Sequence, residues 1–427
     1  MHLVDELSNN GVVSATIFYS LEEALRNPEN VFCLDLSEQS LMDIPLEEIE
    51  KFINLQDLIL HKNKISSIPK EITNLKNLKK LVLSQNRLLD YPVHVNNMSW
   101  LEHLDLRDNK ISEIPQSIEN LLNIKELDLG WNTLRSLPTA FEQLQRLQYL
   151  NLQNNKICHL PDNLGKVFSL RGLNLDWNKL SVLPESISGL SLLQKLSLSE
   201  NNFESIPSGI YELPSLWELN LSWNKIKKLE SDLGKLPVLN HLDVHNNLIS
   251  EIQEGFCQLT GLRTLILRSN RISELPESFS LLENLQFLDL SENAFMDFPE
   301  VICQIKGLRH LNMRFNHIVL LPDCLEKMDQ LKELYFGANR LFTLPTWIFT
   351  MKNLAYLGLT ENNLKDIFIE ETDGSPLEGL YFGGNPINKP VYGLKKFKKL
   401  KQLTIASGTR NRDEIIRSLP GIDVEIH

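Results

Sequence analysis

Three tryptophans recur at one offset of a repeated pattern, in every other repeat: Trp131, Trp177 and Trp223. Tryptophan often anchors protein interfaces, because its large ring buries apolar area and its N–H can donate a hydrogen bond. A solvent-facing row of them predicts anchors for a protein partner, with neighbouring indoles about 10 Å apart. The alternative is that each indole packs sideways on the adjacent strand or turn and only shields it.

A second group of rings projects from the same face in later repeats. Its members are Phe287, His310, Phe315, Tyr335, Tyr356 and Tyr381. Four glycines lie among them: Gly358, Gly379, Gly383 and Gly384. If these glycines leave open floor, the rings form an aromatic patch on which a peptide or loop of the partner lies. The alternative is that the rings replace the cross-strand packing that glycine cannot provide.

A possible metal site lies in the segment His241-Leu-Asp-Val-His245. Alternate strand residues face one side about 6.6 Å apart, so the two histidines and Asp243 could chelate a metal if a fourth ligand joined them. Histidines that are merely exposed are the alternative. The chain has no phosphate-binding loop, no dinucleotide fingerprint and no GxSxG elbow. We therefore expect no catalytic residue, no cofactor and no metal.

All these side chains are positioned by a sequence repeat, which makes up most of the chain. Leu101–Asn123 reads LEHLDLRDNKISEIPQSIENLLN, and a new copy opens every 23 residues. The openings are Leu55, Leu78, Leu101, Ile124, Leu147, Leu170, Leu193, Leu216, Leu239, Leu262, Leu285, Leu308, Leu331, Leu354, Leu377 and Leu400, after a 24-residue unit from Val31. Such a period is typical of stacked units that bury their apolar sides against one another.

Each unit is predicted to contain a strand, a turn and an extended return segment. Leu104 and Leu106 face inward from the strand, and the residues between them face outward. The turn carries a repeated asparagine, and a column of buried amides would satisfy the backbone groups that the turn leaves unpaired. An Ile-Pro or Leu-Pro pair then favours an extended or 3-10 return over an α-helix. Other residues replace the proline at Glu230, Gln253, Phe368 and Val391.

Composition and charge exclude several functions. With 43 basic and 55 acidic residues, the formal net charge is −12, which argues against a general nucleic-acid or anionic-membrane binder. Charges of both signs mix on the predicted outward face. The first residues, MHLVDELSNNGVVSATIFYS, lack the basic start and apolar core of a signal peptide, and no apolar run is long enough to span a membrane. We expect a cytoplasmic monomer.

The five cysteines predict a reducing compartment and no disulfide. Cys257 and Cys303 share one offset two units apart, which is about 10 Å at the usual strand spacing. A disulfide needs Cα atoms within about 7 Å. Cys33, Cys158 and Cys324 fall at other offsets.

The array is predicted to be capped at both ends. Residues 1–30 hold a segment that fits no repeat, either an edge strand or a loose end, and a helix over LEEALRN opened by the capping box Ser20–Glu23. Residues 31–399 are the repeat array, with a polar loop at 369–376. Residues 400–427 hold a degenerate last repeat, a second capping box at Asn411–Glu414, a helix and a final strand over GIDVEI.

The unit resembles leucine-rich repeats of the Ras-suppressor and plant intracellular Ras-group type, LxxLxLxxNxLxxLPxxLxxLxx, and is similar to those of bacterial repeat proteins. The resemblance implies an α/β solenoid, a horseshoe with about 16–17 parallel strands on its concave face and short helical caps. It also implies a non-enzymatic scaffold or signalling module that binds a protein partner in the concave groove. The alternatives are an inhibitor or regulator of an enzyme held there, an enzyme with a cryptic metal site, and a structural spacer.

Overall fold

The computed structural model of the chain describes residues 16–369 and 375–427. The predictions for residues 1–15, and for most of the polar loop at 369–376, lie outside the described residues. The chain divides into two compact units, Met1–Ser197 and Leu198–His427, and each is described by itself.

The first unit is built on nine parallel strands within its described residues. They are Ile17–Phe18, Cys33–Asp35, Asp57–Ile59, Lys80–Val82, His103–Asp105, Glu126–Asp128, Tyr149–Asn151, Gly172–Asn174 and Lys195–Ser197. Consecutive repeats pair in register, so that Leu104 lies beside Leu127 and Asp105 beside Asp128. Each offset of the repeat therefore forms its own column across the sheet, as the period predicts.

The second unit contains ten further strands of this kind. They are Glu218–Asn220, His241–Asp243, Thr264–Ile266, Phe287–Asp289, His310–Asn312, Glu333–Tyr335, Tyr356–Gly358, Gly379–Tyr381, Gln402–Ile405 and Asp423–Ile426. The same register holds, with Phe287 beside His310. The described strands exceed the number predicted for the array because Ile17–Phe18 and Asp423–Ile426 each add one outside it.

The return segments contain 3-10 helices, as the Ile-Pro and Leu-Pro pairs predict. In the first unit these are Lys70–Asn74, Val93–Asn97, Gln116–Asn120, Thr139–Gln143, Leu164–Lys166 and Glu185–Gly189, and a further 3-10 helix, Pro28–Asn30, precedes the array. In the second they are Ser208–Glu212, Ser231–Lys235, Glu254–Gln258, Glu277–Leu281, Glu300–Gln304, Asp323–Lys327, Thr346–Phe349 and Leu394–Lys396. Most of these helices bury at least one large apolar side chain in the core, such as Ile118 and Phe141. No helix in the described part of the chain has the length and apolar character needed to cross a bilayer.

The repeated asparagine forms the predicted column of buried amides. Asn132 donates from Nδ2 to the carbonyl oxygens of Leu106, Leu129 and Gly130, at 3.0, 3.1 and 3.1 Å. Its Oδ1 accepts from the backbone N–H of Ile111 at 3.0 Å. One side chain thus satisfies four backbone groups of the turn and ties its own repeat to the preceding one.

A small second sheet forms in the second unit where two of the usual prolines are missing. Lys228–Leu229 and Glu251–Ile252 pair in parallel, immediately before Glu230 and Gln253. Because Gln253 has the N–H that proline lacks, it donates to the carbonyl oxygen of Leu229 at 3.0 Å. The departure from the repeat pattern therefore explains the extra pairing.

The N-terminal end contains the predicted edge strand and capping helix. Ile17–Phe18 pairs with the first strand of the array, which decides between the two alternatives for these residues. Helix α1 (Leu21–Ala24) begins at Ser20, whose side-chain oxygen accepts from the backbone N–H of Glu23 at 3.5 Å. It is shorter than the predicted stretch. A second short helix that was not predicted, α2 (Leu46–Ile49), lies in the first repeat.

At the C-terminal end the predicted helix and strand form, but the prediction of a capping box is wrong. Helix α3 (Arg412–Ser418) follows Asn411, whose side chain makes no capping hydrogen bond. Asn411 instead bonds to Val391, donating to its carbonyl oxygen and accepting from its N–H, both at 2.9 Å. Val391 stands where proline is usual, and it therefore offers the N–H that competes for this side chain.

The prediction of no disulfide is also wrong. Cys303 and Cys324 form a disulfide with their Cα atoms 5.8 Å apart. They occupy different offsets of consecutive repeats, and both lie in 3-10 helices of the return segments. The spacing of strands gives the distance between cysteines of equal offset only, so it could not predict a contact between Cys303 and Cys324. Cys33, Cys158 and Cys257 are free thiols.

We expect the air-oxidised, unfolded protein to show three free thiols by Ellman titration, and five after reduction. The double variant Cys303→Ser/Cys324→Ser should show three thiols under both conditions, because it lacks only the bonded pair. Five thiols in the unreduced wild type would contradict the assignment.

Candidate functional site

The predicted site residues lie on the surface formed by outward strand side chains and the first turn residues, which we call the strand face of each unit. The first unit presents Trp131 and Trp177 there, and the second presents Trp223 and Phe315, all at the offset of Asp108. We call the three indoles the strand-face tryptophans. The four rings expose 51%, 54%, 50% and 49% of their surface. About half of each is therefore open to contact by another molecule.

These rings stand on a backbone conformation that bulky residues rarely adopt. Trp131, Trp177 and Trp223 have φ angles of 55°, 56° and 55°, in the left-handed region. Other repeats share it, with Asp108 at 54°, so the turn itself imposes the conformation. It costs a residue with a Cβ about 1–2 kcal/mol, and glycine or asparagine adopts it most easily. Residues of many types occupy this offset in the other repeats, so the turn does not require an aromatic ring there.

The indole N–H groups distinguish these tryptophans from two others in the chain. Trp100 donates to the carbonyl oxygen of Leu75 at 3.2 Å, and Trp347 donates to Asp323 Oδ1 at 3.1 Å. The strand-face tryptophans find no acceptor among the described residues. Because a covered indole N–H usually has an acceptor, each of the three holds a donor ready for a partner.

The aromatic patch of the second unit is a packed stack along neighbouring strands. The rings of Phe287 and His310 are 8° from parallel with centroids 4.1 Å apart, and Tyr335 lies 5.5 Å from His310. Glu333 Oε2 lies 3.0 Å from His310 Nδ1 and accepts from the Tyr335 hydroxyl at 3.1 Å. Burial, and then the charge of Glu333, raises the pKa of Tyr335 far above its ordinary value, so its hydroxyl stays protonated. Sequence reasoning missed Glu333, although the register places it beside His310.

The glycines of the patch do not leave open floor, and that part of the prediction is wrong. A Cβ at Gly358 would lie 2.6 Å from the Tyr335 ring, and one at Gly379 would lie 2.6 Å from the Tyr356 ring. The tyrosines thus cover the neighbouring glycines, as the alternative interpretation states. At Gly383 the C-terminal histidine fills the space. The patch is a surface of partly exposed rings rather than a pocket.

Two other predicted residues, Tyr381 and Phe315, make separate contacts. Tyr381 donates from its hydroxyl to Gln402 Oε1. Phe315 has the guanidinium of Arg314 5.6 Å from its ring centre. The predicted residues therefore include exposed rings at the turn offset of each unit and a packed stack on the strands of the second unit.

Within the His241–His245 segment, His245 contacts both Asp243 and Trp223. His245 Nδ1 lies 2.6 Å from Asp243 Oδ1, and the His245 ring packs edge-on against Trp223 with centroids 6.3 Å apart. No group of three metal-ligating side chains has suitable geometry among the described residues. Sequence reasoning missed that His245 supports an exposed tryptophan.

Two aspartates lie side by side on the strand face of the first unit, at the paired positions Asp105 and Asp128. Asp128 accepts from the backbone N–H of Gly130 at 2.9 Å and from Asn151 Nδ2 at 3.0 Å. Burial, followed by the charge of Asp105, raises the pKa of Asp128 to about 6. The strand face of the first unit is therefore polar at these two paired positions.

Known repeat families match the middle of the chain. A family described as a leucine-rich repeat region matches residues 154–266 and 252–339, and one described as leucine rich repeat matches residues 99–157. A solved leucine-rich repeat protein of Leptospira interrogans is 29% identical, with 96% of this chain and 99% of that chain covered and a TM-score of 0.85. The chain is a leucine-rich repeat protein. Its assignment to the Ras-suppressor or plant intracellular type stays a prediction.

Two plant receptors are similar to this leucine-rich repeat protein. The Arabidopsis receptor kinase HAESA, solved in complex with the peptide hormone IDA and a co-receptor, is 25% identical, with 96% of this chain and 72% of that chain covered and a TM-score of 0.69. The plant peptide hormone receptor RGFR1, solved in complex with RGF2, is 26% identical, with 87% and 74% covered and a TM-score of 0.59. No curated protein matches the sequence.

Proposed function

We propose that this leucine-rich repeat protein is a non-enzymatic interaction module that binds a protein partner through its strand faces. The strand-face tryptophans carry the proposal. Each is half exposed, holds a free indole N–H and occupies a left-handed turn position that does not require an aromatic ring. Covering such a ring removes a large apolar area from water and gives the N–H an acceptor, so these residues suit the role of anchors.

The ring stack of the second unit supplies a second contact area. Phe287, His310 and Tyr335 already pack on one another, so they lose little conformational freedom when a partner covers them. HAESA and RGFR1, the similar receptors, were each solved in complex with a binding partner, which supports a binding role for this chain.

The geometry supports the three alternative roles less well. Inhibition of an enzyme held against the strand face would use the same anchors and is a special case of the proposal. An enzyme with a metal near His241 lacks support, because His245 is already engaged with Asp243 and Trp223. If the protein were only a structural spacer, the exposed indoles would have no function.

The cytoplasmic location stays a prediction, and the Cys303–Cys324 pair provides its test. Disulfides persist in oxidising compartments and are rare in the cytosol. Rapid alkylation of intact native cells should label both cysteines if the protein works in the cytoplasm. Protection of the pair from alkylation would place it in an oxidising compartment and reject the cytoplasmic location.

The triple variant Trp131→Ala/Trp177→Ala/Trp223→Ala should lose the partner that tagged wild-type protein co-purifies from its native cells. Trp177→Ala alone should weaken the purified partner's binding about 30-fold, the effect of about 2 kcal/mol expected of an anchor. Isothermal titration measures the affinity, and circular dichroism should show an unchanged fold, because the rings stand outside the core.

A matched control replaces exposed apolar residues that are not on the strand face. Leu122, Phe168 and Phe342 expose 57%, 53% and 56% of their surface, and their triple alanine variant should bind the partner like the wild type. Undiminished binding by the triple-tryptophan variant would reject the proposed function.

A further inference from the structure

A line of positive charge follows one edge of the strand face in the first unit. Two residues beyond the offset of the tryptophans, five repeats carry a cation, and we call these residues the basic margin. They are Lys64, Arg87, Lys110, Lys156 and Lys179. Because the formal net charge of the whole chain is −12, this line is not a general property of its surface.

The backbone holds the basic margin at equivalent places in successive repeats. Each of its members donates its N–H to a carbonyl oxygen of the preceding repeat, at 2.7 to 2.9 Å. Neighbouring strands are about 4.8 Å apart, so the charges follow one another closely along the edge. Thr133 leaves the one gap between Lys110 and Lys156.

The margin's cations have no acidic partner among the described residues, and none makes a side-chain hydrogen bond there. Lys166, elsewhere in the same unit, pairs with Glu142 at 2.8 Å. The neighbouring turn offset carries two acids in the first unit, Glu38 and Asp108. Glu38 pairs with Lys62 at 3.2 Å, so Asp108 is the one acid at this offset that remains to offset the charge of the margin. Five like charges on one edge repel one another, and an anionic partner would relieve that repulsion.

The side chains of the basic margin and the two indoles next to them are hydrogen-bond donors, whereas the acceptors Asp105 and Asp128 lie on the strands of the same face. Lysine and arginine side chains only donate hydrogen bonds, and so do the indoles of Trp131 and Trp177 next to them. A partner must therefore bring acceptors. Carboxylates supply acceptor oxygens and the complementary charge together, and charge-assisted hydrogen bonds are stronger than neutral ones.

The same two offsets are balanced in the second unit. They carry three cations and three acids, namely Lys225, Arg271, Arg340, Glu200, Glu292 and Glu361. The excess of positive charge is therefore specific to the first unit and does not follow from the repeat pattern.

We infer that the partner region bound along the first unit is an acidic protein segment, whose carboxylates meet the basic margin while an apolar side chain covers Trp131 and Trp177. The inference rests on the proposed function and names the chemistry of the partner. A polyphosphate is disfavoured, because it brings no apolar side chain that could cover the two indoles.

The test compares the full wild-type chain with two triple variants of equal charge change. K110E/K156E/K179E reverses the margin beside the tryptophans. K51E/K70E/K79E reverses three exposed lysines of the same unit that lie outside the margin. The probe is fluorescein-labelled poly-L-glutamate, followed by fluorescence anisotropy at low ionic strength, with poly-L-lysine and a poly(dT) oligonucleotide for comparison.

The wild type and K51E/K70E/K79E should bind poly-L-glutamate equally, and K110E/K156E/K179E should bind it at least about tenfold more weakly. Added salt should weaken the wild-type complex. Equal binding by the two variants, or no binding by the wild type, overturns the inference. Tighter binding of poly(dT) than of poly-L-glutamate also overturns it and assigns the edge to nucleic acid.

The failure of this inference differs from the failure of the proposed function. If the recovered native partner is lost by the triple-tryptophan variant but kept by K110E/K156E/K179E, the strand face binds a protein and the inference is wrong. If both variants keep that partner, the proposed function itself is wrong.

Discussion

Replacing Asn132 with alanine is expected to lower the free energy of unfolding by about 3 kcal/mol or more. The side chain is buried and bonds to four backbone groups, three carbonyl oxygens and the N–H of Ile111. Alanine would leave all four without this partner in a place that water does not easily reach. An unpaired buried polar group costs about 1–3 kcal/mol, so even partial repair leaves a large loss.

The matched control is Asn120→Ala, in the repeat just before it. Asn120 is exposed, and no bond of its side chain occurs among the described residues, so its replacement should change stability by less than about 0.5 kcal/mol. Urea denaturation followed by circular dichroism compares the two variants. An equal midpoint for Asn132→Ala and the wild type would mean that the amide column does not stabilise the stack.

The asparagine column could be predicted because the period fixes it. When a repeat of constant length stacks in register, residues of equal offset become neighbours, so Asn109, Asn132 and Asn155 must form a column. The same rule places the strand-face tryptophans at one turn position and Glu333 beside His310. The 3-10 return segments follow from the Ile-Pro and Leu-Pro pairs.

Contacts between different offsets could not be predicted in this way. Cys303 and Cys324 meet across consecutive return segments, where distance depends on how those segments pack. Asn411 bonds to Val391 instead of capping its helix, because a distant backbone N–H competes for the same side chain. In both cases a partner about twenty residues away decided the outcome.

The features of the candidate site likewise divide into those that the sequence predicts and those that it does not. The offset of the tryptophans follows from the sequence, whereas their left-handed backbone and free N–H groups depend on the three-dimensional packing of the turn. The tyrosines rotate over Gly358 and Gly379 because glycine leaves space beside them, which closes the floor that the sequence suggested. Over the strand face as a whole, residues of both signs occur. At the offset of the basic margin, however, the first unit carries five cations, whereas the two turn offsets of the second unit carry equal numbers of cations and acids.

Replacing Gly165 with alanine is expected to destabilise the first unit by about 3 kcal/mol. The cause is steric overlap of the added Cβ and not an unfavourable backbone angle. A Cβ at Gly165 would lie 1.6 Å from the carbonyl oxygen of Ser186 and 2.4 Å from its carbonyl carbon. Both are backbone atoms, so no side-chain rotation relieves the overlap. The 3-10 helices Leu164–Lys166 and Glu185–Gly189 would have to move apart, which opens the core beneath them.

Gly261→Ala is the control for this effect, because its Cβ would meet only the carbonyl oxygen of Leu239, at an ordinary contact distance of 3.6 Å. Thermal unfolding should show a lowered midpoint for Gly165→Ala and an unchanged one for Gly261→Ala. Equal midpoints would mean that the return segments separate without loss. Close packing of the return segments would then not be needed to hold the repeats, and with them Trp177, at their observed spacing.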